Sequence, residues 1–228
     1  MKRARALFVL LVGAAGSAAA DDRYFLAGGE AAPASYYSYA GLVMPGQYRK
    51  DGQGFLQRYW VDRFGYEYDG GPGRVKARAT GAEAALGYGV SNATGDWGAV
   101  YLGLRYTDTT LTPDDVGAKA RGSQTGIRVQ LEGERALSTR LRGSGILSYT
   151  NEQDAYWARL RVMHRMNPGL SVGGEAVAAG NRESDFTSLG AVFSVEATSR
   201  TTVAFKVGYR AQDSENGAYG GIELSVAF

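Results

Sequence analysis

The chain has 228 residues, with 25 Lys and Arg against 23 Asp and Glu, no cysteine, one histidine and 33 glycines. That balance gives no basic patch for nucleic acid, no disulfide framework and no cysteine cluster for a metal. A mean hydropathy of −0.25 is too polar for a bundle of membrane helices, but not for a barrel whose strands show one face to a polar interior.

Residues 1–20 read as a secretory signal peptide. Lys2, Arg3 and Arg5 make the basic start, Leu7 to Ala15 the apolar stretch, and Ser17 to Ala20 the small residues before a cut that leaves Asp21 first. Three of the 25 basic residues then leave, so residues 21–228 carry 22 basic against 23 acidic side chains. We expect those residues to form one domain. Glycine stands well above the usual ~7%, with 15 Tyr and only 5 Pro, which suits many strands with aromatic girdles.

Twelve strands follow in order, although ten to fourteen would fit. A weak first strand covers about residues 22–30. Interrupted alternation marks 35–45, 53–68 and 74–91, with a bulge expected at Gly81. Clean alternation marks 97–109, where Val100, Leu102, Leu104 and Tyr106 oppose Gly103, Arg105 and Thr107. It marks 121–135 too, where Ile127, Val129 and Leu131 oppose Arg128, Gln130 and Glu132. Residues 137–150 are less regular, with a second bulge expected at Gly143. In 154–166, Ala158, Leu160 and Val162 oppose Arg159 and Arg161. The segments 169–180, 185–196 and 201–212 repeat the pattern. In 218–228, Ile222, Leu224, Val226 and Phe228 alternate with small and polar residues. A period of two puts the two sets on opposite faces. The charged set would cost about 2–4 kcal/mol per residue in mid-hydrocarbon, so it must face a lumen. The fold expected is all-β: an antiparallel up-and-down transmembrane β-barrel of the bacterial outer membrane. Connections around 134–138, 166–169 and 196–200 look tight. Those around 108–121, 150–154, 180–185 and 211–217 look longer, as periplasmic turns and outer loops do. A terminal aromatic strand also resembles the signal that barrel-assembly machinery reads, with Phe228 as its last residue.

Several segments resemble the cellulose biosynthesis protein BcsS family. They are YYSYAGLVMP from Tyr36, DGQGFLQRYWVDRFGYEYDG from Asp51, AALGYGV from Ala84, YLGLRYTDTTLTPDD from Tyr101 and RGSQTGIRVQLEGE from Arg121. Thr112 and Val116 stand where that family tends to have Ser and Pro. The resemblance covers residues 36–134 well and the C-terminal strands by pattern. It implies a role beside a bacterial cellulose synthase system, with the synthase components and cellulose as partners, and it brings no catalytic residue.

The residues offer five candidate sites. Arg105, Arg128, Arg159, Arg161, Lys206 and Arg210 share the lumen side with Glu132, Glu175, Glu196 and Glu223. Opposite charges in close quarters pair, so a salt-bridged plug is favoured over a polar conduit for a glycan. Tyr59, Trp60, Phe64, Tyr66 and Tyr68 cluster on one strand, with Tyr36, Tyr37 and Tyr39 nearby. Sugar rings pack on aromatic faces while their hydroxyls bond polar neighbours. Arg58, Trp60, Asp62, Tyr66 and Tyr68 are therefore candidate glycan-binding residues, against a plain interfacial girdle. Asp114 and Asp115 suit a cation or a Pro-Asp-Asp turn, and the turn is favoured. Asn92-Ala93-Thr94 reads as turn chemistry rather than a glycosylation acceptor. His164 shares the parity of Leu160 and Val162, which makes it a girdle residue. No serine-hydrolase or zinc-protease motif accompanies it.

The expectation is a non-enzymatic barrel with no cofactor and no metal. It contacts membrane lipid and lipopolysaccharide and serves cellulose production or export as a guide or scaffold. A general diffusion channel, a lipid-modifying enzyme and a surface anchor for extruded fibres are the alternatives.

Overall fold

A computed structural model describes residues 23–46 and 52–228. The expected signal peptide lies outside the described residues. Twelve strands form, and their registers follow the alternation. They are β1 (Tyr24–Ala32), β2 (Ser35–Pro45), β3 (Gln53–Gly70), β4 (Gly73–Ser91), β5 (Trp97–Thr112) and β6 (Gly122–Ala136). β7 (Leu141–Thr150), β8 (Ala155–Asn167), β9 (Leu170–Gly180), β10 (Asp185–Thr198), β11 (Thr201–Gln212) and β12 (Gly217–Ala227) complete the set. Each strand pairs antiparallel with its neighbours in sequence, and β1 pairs with β12, so the sheet is closed. Closure leaves no edge, so every ladder hydrogen bond is made within the wall, as a hydrocarbon environment demands. The seam is tied at its last residue: the Arg23 amide donates to the Phe228 carbonyl at 3.1 Å, and the Phe228 amide donates back at 2.9 Å.

The outward faces form an apolar band. On β4 the exposed positions run from Ala82 and Ala84 to Leu86, Tyr88 and Val90. Toward the other end of the same strand they become Thr80, Arg78, Lys76 and Arg74, all exposed. The apolar row therefore stops partway along the strand, and β3, β4 and β5, of 18, 19 and 16 residues, project beyond it. The end that carries both chain termini is called the near end here, and the projecting end the far end. His164 is exposed on β8 opposite Leu141 and Val172, with the outward parity expected of it.

The bulges expected at Gly81 and Gly143 do not form, because register runs unbroken through both. Gly81 has a different cause. A Cβ there would lie 2.4 Å from both the Arg105 guanidinium and the Asp62 carboxylate, so the missing side chain clears the path of an ion pair. Register shifts occur instead at the near end, between Arg165 and Asn167 and between Glu196 and Thr198. Loop lengths follow the expected alternation only in part. The β5–β6 connection, residues 113–121, is long, but two-residue links at 33–34 and 71–72 also sit at the far end. The strands there are long enough to leave little for the turns to span.

Candidate functional site

The interior is filled. Among the described residues two charge networks meet near mid-barrel. The first lies against β3, β4, β5 and β6. Arg105 donates to both Asp62 oxygens at 2.8 and 2.9 Å, reaching past Gly81. Glu83 lies 3.3 Å from Arg128, 3.6 Å from Arg58 and 4.0 Å from Arg105. Arg58 also donates to Gln130, whose amide donates to Glu132 at 2.6 Å, and its guanidinium stands 4.8 Å over the Trp60 ring.

The second network lies against β1, β8, β9, β11 and β12. Arg161 bonds Glu175 at 2.5 Å and Glu223 at 3.0 Å. Lys206 bonds Glu30 at 2.6 Å and Glu223 at 2.9 Å. Arg210 donates to Glu30, to Ser188 at 3.0 Å and to Ser35 at 3.1 Å, and stacks 3.8 Å from the Phe186 ring. Tyr219 donates to Glu175 at 3.0 Å, and Arg159 stands 3.9 Å from Glu223.

An aromatic wedge joins the two. Tyr39 stacks on Trp60 at 4.8 Å and on Tyr37 at 5.6 Å, while Tyr37 meets Trp157 at 5.9 Å. The Trp60 ring lies flat on Gly41, where a Cβ would sit 1.9 Å from it. The Trp60 indole donates to the Tyr37 hydroxyl at 3.2 Å. Pairing removes most of the cost of holding so many charges out of bulk water, but removing one partner would expose that cost in full.

The predicted charged residues therefore meet, apart from Glu196. Glu196 is exposed at the near mouth and joins neither network. The predicted glycan-binding set divides. Arg58, Trp60 and Asp62 are only 2, 3 and 5% exposed and are committed to internal partners, so they present no face to a sugar in this arrangement. Tyr66 sits higher and accepts from Asn181 at 3.0 Å. Tyr68 is buried by Val75 and Ala118 and donates to Asp115 at 3.2 Å. Tyr59 faces outward and is half exposed. Sequence reasoning missed Glu30, Glu83 and Trp157. Glu30 lies on the faintest strand, but Glu83 shares lumen parity with Ala77 and Ala79, a signal that was legible.

Loops cover the far mouth. Residues 113–121 cross the opening, where the Lys119 amide donates to Glu183 at 2.6 Å. Arg182 donates to Asp154 at 2.6 Å, and Tyr149 donates to the other Asp154 oxygen at 2.5 Å. Those two donors hold the Asp154 carboxyl below the usual carboxylate range. Glu152 turns inward beside Thr107 (3.4 Å), and burial pushes its carboxyl above the usual range. Only about 60 Å³ of space remains between these loops and the plug. Asp114 is clasped by Arg121 at 2.7 and 2.8 Å, and Asp115 accepts from the Gly117 amide at 3.2 Å, so the acidic pair is turn chemistry. Asn92 likewise accepts from the Thr94 and Asp96 amides at 3.0 and 2.9 Å. No group of three metal-ligating side chains occurs among the described residues.

Among the described residues the near mouth is open. A polar cavity of about 240 Å³ lies inside β6 to β11. A wider concavity, about 1090 Å³, lies on the exterior wall over Gly145, Ala158 and Ala176 between Leu131, Leu160 and Leu189. Small side chains there leave room for acyl chains, and the feature is no part of the lumen.

Known structures share the architecture. An outer-membrane channel from Pseudomonas putida F1 superposes with a TM-score of 0.63 at 13% identity, covering 96% of this chain and all of that one. The β domain of the Bordetella autotransporter BrkA gives 0.55 at 15%, covering 92% and 100%. The Pseudomonas putida toluene transporter TodX gives 0.51 at 10%, covering 91% and 89%. At such identities the likeness is one of fold: an outer-membrane type of barrel. No curated protein matches the chain. The profile of one family matches residues 24–228, nearly the whole length, and this extends the resemblance read in residues 36–134 to the C-terminal strands. The chain belongs to the cellulose biosynthesis protein BcsS family.

Proposed function

We propose that this barrel is a non-enzymatic accessory of cellulose production that sits in the outer membrane as a plugged scaffold rather than a pore. The observation that carries the reading is the filled lumen: twelve of its side chains form two ion-pair networks around Glu83 and Glu223, with an aromatic wedge between them. A conduit for a glycan would need a continuous wet path, and paired charges with stacked rings occupy that path. Membership of the cellulose biosynthesis family supports the link to the polymer. By the usual rule for such barrels the near end, with both termini, faces the periplasm and the projecting far end faces outward. Glycan contact then belongs to the mouths, and Arg58, Trp60 and Asp62 act as structural members.

Two measurements test the reading. The purified protein in planar bilayers should give no steady large conductance, whereas open events of porin size would favour a diffusion channel. An in-frame deletion strain should release less extracellular cellulose, or cellulose of altered fibre form, and the intact gene should restore it. An unchanged product would remove the cellulose role.

A further inference from the structure

The near-mouth cavity holds polar groups that the plug does not use. Arg140 and Arg165 line it, and neither makes an ion pair among the described residues. Ser144, Ser171, Ser194 and Thr202 line it too, and their hydroxyls make no hydrogen bond among the described residues. The difference from the rest of the interior is one of charge: there the cations are ion-paired, although hydroxyls such as those of Thr109 and Thr150 are likewise without a hydrogen bond. The other two arginines on the wall are engaged, Arg142 with Glu134 and Arg161 with Glu175 and Glu223. Among the described residues Glu196 is the one carboxylate on the lining left to oppose Arg140 and Arg165, so the uncommitted charge of that lining is positive. Elsewhere in the lumen such a pair of guanidiniums would have been neutralised by a neighbouring strand.

The cavity is a concave site rather than a patch. Its volume of about 240 Å³ exceeds the space of a few ordered waters, at roughly 30 Å³ each. It opens at the near end, where no described residues cover it as residues 113–121 cover the far mouth. Ser194 and Thr202 are buried in its wall, which fixes their hydroxyls as fixtures of the site. Hydroxyls both donate and accept, as sugar hydroxyls do, while guanidiniums only donate and bind carboxylate or phosphate oxygens in pairs. Among the described residues Met163 and Ala136 are the apolar side chains on the lining, and none of the lining side chains is aromatic. That leaves no pocket for the large apolar anchors of a peptide segment.

We propose that this vestibule binds an anionic saccharide, a sugar unit carrying a carboxylate or phosphate. Arg140 and Arg165 take the acidic group, and Ser144, Ser171, Ser194 and Thr202 take ring hydroxyls. In the orientation given above the ligand arrives from the periplasm. The site would give a plugged barrel a recognition role that needs no transport through the lumen.

The test uses the full barrel in detergent, with calorimetric or NMR titration of a glucuronic acid tetramer and of glucose 6-phosphate. At least one should bind about tenfold tighter than cellotetraose, the neutral comparator. Arg140→Ala with Arg165→Ala should reduce that binding to the neutral level. Glu196→Gln should tighten it by about threefold, because it removes the opposing charge. None of these side chains belongs to either ion-pair network, so an unchanged heat-shift of the folded barrel on a gel confirms folding. Equal affinity for cellotetraose, or indifference to the double substitution, would overturn the proposal. Equal binding of tetraglutamate would overturn its saccharide half and leave plain anion docking. These outcomes are read on purified protein, so they stand or fall separately from cellulose yield in the deletion strain.

Discussion

The middle of the lumen and the far mouth both block the barrel, but by different physics. At mid-barrel the charges are almost fully buried, share partners across strands distant in sequence and lie among stacked rings. At the far mouth, Arg182–Asp154 and Arg121–Asp114 are exposed pairs on connecting loops. A buried network resists loss of a member strongly, because the orphaned charge has no water to turn to. An exposed pair is screened and contributes little. On the proposed reading the middle is the lasting plug, and the mouth is a cover that loosens without unfolding the wall.

The sharpest way to break this contrast is Glu223→Ala. Arg161 and Lys206 bond this carboxylate and Arg159 leans toward it, so three cations lose a counter-charge at once. Urea unfolding in lipid vesicles should register a loss of about 3–5 kcal/mol. A loss near zero would mean water reaches the middle and the plug is not dry. Asp62→Ala should cost less, about 2–3 kcal/mol, because Arg105 keeps Glu83 at 4.0 Å. Adding Arg105→Met should recover most of that loss in the same assay, since the orphaned charge goes too.

Far-mouth changes should be smaller. Arg182→Ala should alter global stability by less than about 1 kcal/mol, while amide exchange in 151–154 and 181–184 speeds up. If stability fell as far as in Glu223→Ala, the mouth would be part of the core. The smallest effect is on pH dependence, and it has two signs. The Asp154 carboxyl is lowered in the fold, so its contribution is full at neutral pH and is lost only as pH falls below the usual carboxylate range. The Glu152 carboxyl is raised by burial, so its charge opposes closure at neutral pH and this penalty fades as pH falls through the raised value. Protection of the 151–154 amides, corrected for their intrinsic exchange rate, should therefore rise on mild acidification, and Glu152→Gln should abolish that rise. No change in the wild-type protein between pH 7 and 5 would place Glu152 in water.

Legibility differed by element. The cleanest strands, β5, β6, β8 and β12, were plain because Leu, Ile and Val alternate there with Arg and Glu. β4 was blurred by a run of Ala and Gly, whose small side chains carry little information about which face they prefer. Gly81 illustrates the ambiguity. A glycine in a strand suits a bulge or a close approach equally, and only the neighbour on β5 decides between them. The glycan platform around Trp60 was misjudged for accessibility for a similar reason. Parity placed Trp60, Arg58 and Asp62 on the lumen side, but parity carries no information on how wide that lumen is.

Alternation is a local property, and a charge in hydrocarbon is costly wherever it sits. The sequence alone therefore determined that this chain is a barrel, which side the cleanly alternating strands turn inward, and most but not all of the charges that share the interior. Which cation meets which carboxylate was a tertiary decision. Arg210 and Glu30 are 180 residues apart and meet only because β1 closes on β12, while Lys206 reaches Glu223 from the neighbouring strand. The same closure left Arg140 and Arg165 without an ion pair among the described residues, with Glu196 at the end of β10 the one uncommitted carboxylate on their cavity.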